Sequence, residues 1–343
     1  MKILLGMSGG VDSTYAALKL MREGHSVEGA TLVMHEYTTV DEAREAAEAL
    51  AIPFHVIDCK DAFKKVVESN FIDEYVNART PNPCTICNSE VKFRYLLEYA
   101  ESHGFDAIAT GHYADVVKIA DDAGERYAIR RGVDIKKDQS YMLWRLPQNI
   151  LKKLLLPLSD MQKSEIREES ANYGLLAAER KDSQEICFIP NGDYAHFIEE
   201  RVGVSQAGNF VDADGKVLGT HRGIIHYTVG QRRGLGISAS SRIFVTEIDP
   251  ASNTVTLSEN DPTSVEVEIS DIVYSGIKEP RAGETLSLSV KLRYAAPPVS
   301  AKVTFYGSRA KIVLDAPVRA VTPGQSAVLY DGDILVAGGI IDK

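Results

Sequence analysis

The sequence predicts an α/β protein in which a doubly wound parallel sheet is followed by a mixed α+β region and then by an antiparallel β-barrel. Three observations predict this order. In the first 150 residues, short apolar runs without polar alternation are separated by segments of helical periodicity, which is typical of strands covered by helices on both faces. That pattern stops near residue 150. After about residue 205 the chain is rich in glycine and β-branched residues, which favour antiparallel strands.

The predicted elements follow in chain order. The strands of the parallel sheet are Lys2–Met7, Ser26–Met34, Phe54–Cys59 and Ala107–Thr110. The helices are Ser13–Arg22, Asp41–Leu50, Asp61–Val76, Ser89–His103, Met161–Tyr173 (capped by Ser159 and Asp160) and a shorter one after Asp193. The barrel strands are Thr263–Val273, Thr285–Tyr294, Val299–Phe305, Arg309–Val313 and Ser326–Leu329. We expect three domains, 1–150, 151–262 and 263–343, with ligands at the carboxyl ends of the parallel strands.

The composition excludes several classes of protein. With 44% hydrophobic and 25% charged residues among 343, the chain has ordinary globular usage. No apolar run is long enough to cross a bilayer, and the N-terminus lacks the apolar stretch of a secretory signal. Four cysteines are too few for a disulfide scaffold, so we expect a cytoplasmic protein with no membrane partner.

Charge is distributed unevenly along the chain. The 38 basic and 48 acidic residues give a formal net charge of −10, which argues weakly against a nucleic-acid partner. The segment Gly215–Thr246, however, has no acidic residue, whereas residues 247–271 carry only acidic charges. This asymmetry suits an anionic partner on one face, and chance clustering of solvated charge explains it equally well. The basic residues of the first segment are Lys216, Arg222, Arg232, Arg233 and Arg242.

The strongest local motif is SGGVDS, from Ser8 to Ser13, directly after the first strand. Its two glycines allow a tight turn and the close approach of a ligand, and the unpaired amides at a helix start favour an anion. Asp12 in such a loop suggests a metal ion held against phosphates. Alone, an SGG string is usually a plain turn, but strand, loop, acid and helix in this order favour a nucleotide site. The chain has no GxxxxGK[ST] sequence, so this is not the loop of the γ-phosphate-cleaving NTPases.

A second motif is TPNPCTICN, from Thr80 to Asn88. Its prolines predict a rigid extended loop before a helix capped by Asn88, and a thiol at a helix start is predicted to be a better nucleophile or metal ligand. A structural zinc is the less favoured alternative, because it requires further ligands such as Cys187 and a histidine. The polar stretch before Cys187 favours reactivity, whereas Cys59 follows an apolar run and is expected to be inert.

With these motifs, the chain resembles the bacterial tRNA-specific 2-thiouridylases of the pyrophosphate-loop ATPase superfamily over nearly its full length. The matching segments are GMSGGVDS at 6–13, ARTPNPCTICN at 78–88, ATGHY at 109–113, KDQSYML at 137–143, KDSQEICFIP at 181–190, HRGIIHYTVGQRRGLGI at 221–237 and RY at 293–294. The resemblance implies that ATP adenylates the C2 oxygen of the wobble uridine (position 34) in tRNAs for Lys, Glu and Gln. A persulfide sulfur then attacks C2 and AMP leaves. ATP and Mg²⁺ are the implied cofactors, and tRNA and a sulfur-donor protein or persulfide relay are the implied partners.

The resemblance also implies residue roles, and it implies that segment 180–192 returns to the catalytic site of the first domain. Cys87 is the expected nucleophile, Cys187 the persulfide carrier and Cys84 an auxiliary thiol. ATP is expected to bind Gly6, Met7, Ser8, Gly9, Gly10, Val11, Asp12, Ser13, Met34 and Gly111. The tRNA is expected to contact Asn82, Pro83, Cys84, His112, Lys137, Asp138, Gln139, Arg293, Tyr294 and Gln325.

Departures from the family leave alternatives open. Some members carry Asp at the position of Cys84, and the alternative mechanism here is a [4Fe–4S] cluster on Cys84, Cys87 and Cys187 that delivers sulfide. The segment after Met34 is shorter than in many members, which affects the outer wall of the nucleotide site. Two competing functions are a small-molecule adenylating synthetase, which does not need paired cysteines, and a non-catalytic RNA-binding protein, which leaves SGGVDS without a purpose.

Overall fold

The structure is a computed structural model that describes residues 1–121, 124–175, 186–237 and 241–342. The parallel sheet is formed by β1 (Lys2–Gly6), β2 (Ser26–Val33), β3 (Phe54–Asp58), β4 (Ala107–Thr110) and, numbered in chain order, β7 (Leu154–Leu155). Their order across the sheet is β3-β2-β1-β4-β7, and every neighbouring pair is parallel. Within the described ranges, no helix has the length and apolar character needed to cross a membrane.

The helices confirm most of the predicted positions. They are α1 (Val11–Arg22), α2 (Asp41–Ala49), α3 (Lys60–Phe63), α4 (Ser69–Val76), α5 (Pro83–Ile86), α6 (Phe93–Ser102), α7 (Gln148–Leu151), α8 (Lys163–Asn172) and α9 (Tyr194–Val202). Two predicted helices are interrupted by π-helical segments, Lys64–Glu68 and Cys87–Lys92. Such bulges are frequent at functional sites. The predicted cap of α8 by Ser159 and Asp160 is wrong, because Gln162 forms a capping box with Glu165.

Both faces of the parallel sheet are covered, as the unbroken apolar runs predicted. Ile3 and Leu5 pack with α1 and α8, whereas Leu4 packs on the opposite face with α6, and all three are fully buried. Ile166 of α8 is also fully buried, in the same apolar core as Ile3 and Leu5. Residues after position 150 therefore complete the packing of the first sheet. The predicted domain boundaries stay a prediction.

The C-terminal strands close into an antiparallel barrel. They are β12 (Thr263–Val273), β13 (Thr285–Lys291), β14 (Val299–Tyr306), β15 (Arg309–Arg319), β16 (Ser326–Asp331) and β17 (Ile334–Ile341). They follow the order β12-β15-β14-β13-β16-β17, and the β12–β17 pairing closes the barrel around a buried apolar core. The predicted fold class is thus confirmed, with β17 as a strand that the sequence did not predict.

Two further units connect the sheet and the barrel. The hairpin β5 (Ala114–Asp121) and β6 (Gly124–Arg131) follows the parallel sheet and pairs with β17 of the barrel. The central sheet has the order β10-β11-β8-β9, formed by Phe244–Asp249, Thr254–Ser258, Gly208–Val211 and Val217–His221. Trp144 Nε1 donates to Ser326 Oγ at 3.0 Å, and Tyr141 donates to the carbonyl oxygen of Ser326 at 2.9 Å. These buried bonds fix the barrel against the first domain.

Candidate active site

The loop between β1 and α1 lies at the carboxyl end of the central strand of the parallel sheet. The first backbone hydrogen bond of α1 runs from the N–H of Thr14 to the carbonyl oxygen of Gly10, at 3.1 Å. Gly9 has a φ of +77°, and a Cβ at this position would lie 2.5 Å from the backbone of Glu42, so only glycine fits. The loop therefore presents the start of a twelve-residue helix at the sheet edge, which is the geometry that binds a phosphate.

Asp12 forms a bidentate ion pair with Lys163, a residue that the sequence analysis did not single out. The Nζ of Lys163 lies 2.7 Å from both carboxylate oxygens, and the Tyr113 hydroxyl also donates to Asp12. Lys163 is 7% exposed, and its backbone N–H donates to Asp134 at 3.0 Å. A lysine in the first turn of a helix opposes the helix dipole. That unfavourable placement was the available signal that Lys163 serves a purpose other than helix stability.

Two expected site residues support this pair from behind. A Cβ on Gly111 would lie 2.8 Å from the backbone of Asp12, so the end of β4 packs directly against the loop. Gln139 accepts from the N–H of Tyr113 at 3.0 Å and donates its own N–H to the carbonyl oxygen of Tyr113 at 2.8 Å. Gln139, expected to contact tRNA, therefore holds Tyr113 in place beneath Asp12 and Lys163.

The TPNPCTICN segment enters α5 with Asn82 at the N-cap position and Pro83 at the first helical position. The predicted cap by Asn88 is wrong, because Asn88 lies inside the π-helical segment and donates to the carbonyl oxygen of Met142 at 2.9 Å. Cys84 is exposed, whereas Cys87 is buried. The Sγ of Cys87 lies 3.6 Å from the Sδ of Met34, which is an expected ATP-binding residue at the end of β2.

The thiols of this segment are not activated by a helix dipole, contrary to our prediction. Burial raises the pKa of Cys87 to about 12, against a lowering by Lys92. Cys84 and Cys187 are exposed as residues, yet the protein packed around their thiols removes enough water to raise the pKa of each. Cys87 lies one turn beyond the start of α5, where loss of hydration outweighs the dipole. At neutral pH all three groups are therefore thiols.

Cys187 lies in the same region as Cys84 and Cys87. After the effect of burial, ionisation of Cys84 would raise the pKa of the Cys187 thiol further, and ionisation of Cys187 would raise that of Cys87, which places the three thiols close enough to influence one another. All four cysteines of the chain are free thiols, and burial raises the pKa of Cys59 to about 12. Residues 181–185 of the predicted motif lie outside the described residues.

The residue after Cys187 anchors that thiol in the first domain. Phe188 is buried, and its ring centroid lies 5.3 Å from Phe63, 5.4 Å from Phe71 and 5.3 Å from Phe197. A cavity of about 690 Å³ lies between Phe188 and Met34. The cavity is lined by Met34, whose Sδ contacts Cys87, and by Phe188, which follows Cys187 in the chain, but neither cysteine lines it.

The cysteines and carboxylates do not form a metal site in this arrangement. Across the part of the chain that the structure describes, no three His, Cys, Asp or Glu side chains converge into a group able to hold a metal ion. Cys84, Cys87 and Cys187 all belong to that part, so they do not fit a [4Fe–4S] cluster or a zinc site. The carboxylate oxygens of Asp12 face Lys163, and a magnesium ion held at Asp12 stays a prediction.

The barrel brings one expected tRNA residue to the cysteine loop. Burial raises the pKa of Tyr294, Asp138 and Cys84 raise it further, and Lys137 lowers it. Tyr294 is 38% exposed. Its hydroxyl is thus close enough to Lys137 and Cys84 for their charges to act on it, while Lys291 Nζ lies 5.4 Å from its ring centroid. Contact of Tyr294 with tRNA stays a prediction.

Two other expected tRNA residues have partners inside the protein. The carboxylate of Asp138, 5% exposed, accepts from the backbone N–H and the hydroxyl of Ser140 at 3.1 and 2.9 Å. His112 Nδ1 lies 2.7 Å from Thr110 Oγ1, and burial lowers the pKa of His112 to about 3. Both residues therefore stabilise the strand ends around the site in this conformation. Their contact with tRNA stays a prediction.

The basic segment predicted from the charge pattern lies beside the cysteine loop. Arg232 and Arg233 are exposed, and neither forms an ion pair with any other described residue. In the same segment, Thr228 Oγ1 accepts from Thr80 Oγ1 at 3.4 Å. Thr80 is the first residue of the TPNPCTICN segment, and Arg232 and Arg233 come shortly after its partner Thr228 in the chain.

Comparison with known proteins identifies the family of the chain. Residues 1–191 match the tRNA methyl transferase HUP domain, 195–259 the tRNA methyl transferase PRC-barrel domain and 264–341 the aminomethyltransferase beta-barrel domain. A tRNA-specific 2-thiouridylase MnmA of Acetivibrio thermocellus is 44% identical, with 99% of each chain covered. A protein of the same name from Clostridium acetobutylicum is 43% identical, again with 99% of each chain covered. Identity at this level over full-length chains identifies the family, and this chain belongs to the tRNA-specific 2-thiouridylases.

Proposed function

We propose that this protein is an ATP-dependent sulfurtransferase that converts the wobble uridine (position 34) of tRNAs for Lys, Glu and Gln into 2-thiouridine. The observation that carries the proposal is the contact between Met34 and Cys87, whose sulfur atoms lie 3.6 Å apart. This contact joins the carboxyl ends of the parallel strands, where ATP is proposed to bind, to the thiols of Cys84, Cys87 and Cys187. An enzyme that activates a base with ATP and then delivers sulfur requires both at one place.

The first step overcomes the low electrophilicity of uridine C2. The C2 oxygen attacks the α-phosphorus of ATP, which enters as its magnesium complex, and pyrophosphate leaves. The start of α1 binds the phosphates, and Lys163, 2.7 Å from Asp12, supplies a cation where charge develops on the leaving pyrophosphate. AMP attached at C2 is then a good leaving group. No step here uses a metal ion held by protein side chains.

The second step exchanges oxygen for sulfur. The terminal sulfur of a persulfide on Cys187 attacks C2, the C2–S bond forms, and the C2–O bond breaks with release of AMP. The Cys87 thiol then loses its proton to water, and the resulting thiolate attacks the Sγ of Cys187, which breaks the persulfide bond, leaves sulfur on C2 and forms a Cys87–Cys187 disulfide. Reduction by an external dithiol restores both thiols, and a sulfur-donor protein restores the persulfide. Cys84, exposed near Tyr294, faces the base.

The two alternatives have less support. The three cysteines do not form a metal-binding group in the described conformation, so the route through a [4Fe–4S] cluster has no preformed site. An anaerobic reconstitution that binds four irons per chain and thiolates tRNA would restore that route. A small-molecule adenylating synthetase would not need the three cysteines near the nucleotide site, nor the exposed Arg232 and Arg233.

The deciding experiment combines purified protein, an unmodified tRNA(Glu) transcript, ATP, Mg²⁺ and a persulfide source. Nucleoside mass spectrometry is expected to detect 2-thiouridine at position 34 only when ATP is present, with one AMP released per base. A transcript with cytidine at position 34 is the matched control. Absence of 2-thiouridine, or ADP as the product, would contradict the proposal.

A further inference from the structure

A turn of the barrel, residues 323–325, forms hydrogen bonds with the backbone of the loop that carries Cys84. We call the loop from Thr80 to Cys84 the base loop. The Nε2 of Gln325 donates to the carbonyl oxygen of Thr80 at 2.8 Å and to that of Pro81 at 3.2 Å. The N–H of Thr80 donates to the carbonyl oxygen of Pro323 at 2.8 Å. Three hydrogen bonds therefore join the two segments, although about 245 positions separate them.

The turn is shaped for this contact. Gly324 has a φ of +87°, and a Cβ there would lie 2.9 Å from the nitrogen of Thr80 and 2.8 Å from Glu74. Only glycine therefore allows the two backbones to approach this closely. The adjacent Arg79 pairs with Glu74 at 2.8 Å and donates to the carbonyl oxygen of Ile341 at 3.3 Å. The barrel thus holds the base loop at its first two residues.

The turn is itself held from within the barrel. The guanidinium of Arg293 donates to the carbonyl oxygen of Ala320 and to Thr322 Oγ1, the latter at 2.8 Å. The N–H of Gln325 donates to the carbonyl oxygen of Thr322 at 3.2 Å. Arg293, the turn and Gln325 therefore form one connected support that ends at the carbonyl oxygens of the base loop.

We propose that Gln325 is a positioning residue, which sets the conformation of the base loop through its amide donor and so places Asn82 and Cys84 for the incoming base. The consequence for thiolation rests on the proposed function, whereas the effect on the loop does not. Its Oε1 has no hydrogen-bond donor among the described residues. A 2′-hydroxyl of bound RNA can use that acceptor while the Nε2 keeps its hold on the loop, so the barrel transmits tRNA docking to the base loop.

The test uses the full chain and four variants. Gln325→Met keeps the side-chain size without a donor, and Gln325→Glu keeps an acceptor without a donor. Gln325→Lys restores a donor of similar reach, and Gln206→Ala removes an exposed glutamine elsewhere. Hydrogen exchange of the peptide 79–90 is measured without tRNA. Loss of the donor is expected to speed exchange by about fivefold, since a net hydrogen bond is worth roughly 1 kcal/mol. The Lys variant and Gln206→Ala are expected to match the wild type.

The kinetic readout separates positioning from RNA binding. Gln325→Met and Gln325→Glu are both expected to lower kcat for thiolation by about tenfold or more, while the Kd for ATP changes less than twofold, because misplacement costs rate rather than binding. Only Gln325→Met, which also lacks the oxygen acceptor, is expected to weaken tRNA binding through loss of the contact to the 2′-hydroxyl. Unchanged exchange in both donor-free variants, or exchange that Gln325→Lys does not restore, would overturn the positioning role. If the wild type makes no 2-thiouridine, the proposed function fails and the exchange result still decides this inference.

Discussion

The Nζ of Lys163 lies 2.7 Å from both carboxylate oxygens of Asp12. The pair joins the first turn of α8 to the first turn of α1, and Lys163 is largely buried. A positive charge at the start of α8 opposes the dipole of its own helix, so the pair with Asp12 compensates for that cost. If the loop binds the phosphates of ATP as proposed, the same ammonium is the cation placed to contact them.

Replacing Lys163 is therefore expected to impair adenylation. Lys163→Met keeps the aliphatic chain and removes the charge, and we expect AMP formation to fall by about 100-fold or more, as when one preorganised donor is lost. The measurement is tRNA-dependent AMP release, with circular dichroism as the check on folding. Lys19→Met is the matched control, because Lys19 lies on α1 away from the SGGVDS loop and forms an ion pair with Asp160. Normal AMP release by Lys163→Met would show that the pair is only structural.

Separating the two chemical steps tests the assignment of the thiols. We expect Cys187→Ala to abolish 2-thiouridine yet still release AMP, because adenylation of C2 needs no sulfur. Asp12→Ala is the complementary variant, since it is expected to abolish AMP release itself. Cys59→Ala is the control for the loss of a thiol, because Cys59 is buried in the apolar core and donates to the carbonyl oxygen of Ile57 at 3.7 Å. Wild-type thiolation by Cys187→Ala would refute the sulfur-carrier role.

The sequence predicted those strands that a simple apolar or alternating run defines. Ala107–Thr110 and Thr263–Val273 have the predicted bounds, and the predicted strand Ser26–Met34 ends one residue earlier. In contrast, β17 was missed because its glycine pair resembles a turn. The structure explains that pair, since a Cβ on Gly338 would lie 2.7 Å from the ring of Trp144. A close approach between domains leaves no signal in local periodicity.

The site was predictable where a motif carries it and not where the contact is tertiary. SGGVDS and the cysteine segments were recognisable from their residue order. Lys163 was not, because its partner Asp12 is 151 positions away. The raised pKa of Cys87 was also missed, because burial is set by packing within the apolar core and against Met34 rather than by the position of the cysteine in its helix.

The buried Cys87 thiol predicts an unusual pH dependence of alkylation. Since burial raises its pKa to about 12, the protein without tRNA holds Cys87 as a neutral thiol at pH 7. The thiolate fraction is then expected to rise about tenfold per pH unit from pH 7 to pH 10 without levelling. Iodoacetamide labelling followed by peptide mass spectrometry measures this rate at each cysteine. A plateau near pH 8 would show an ordinary pKa and would contradict the burial argument.

The exposed arginines beside Thr228 are expected to follow the tRNA backbone. Each phosphate contact contributes roughly 0.7 to 0.9 to the slope of log K against log salt, so Arg232→Ala combined with Arg233→Ala should lower that slope by about 1.5. The affinity should fall equally for wobble-uridine and wobble-cytidine transcripts, because phosphate contacts carry no base information. Arg94→Ala is the matched control, since Arg94 is exposed on α6 and paired with Glu98 at 2.9 Å. If the double variant binds tRNA with wild-type affinity at low salt, the backbone passes elsewhere, and the asymmetry of charge along residues 215–271 is only solvated surface.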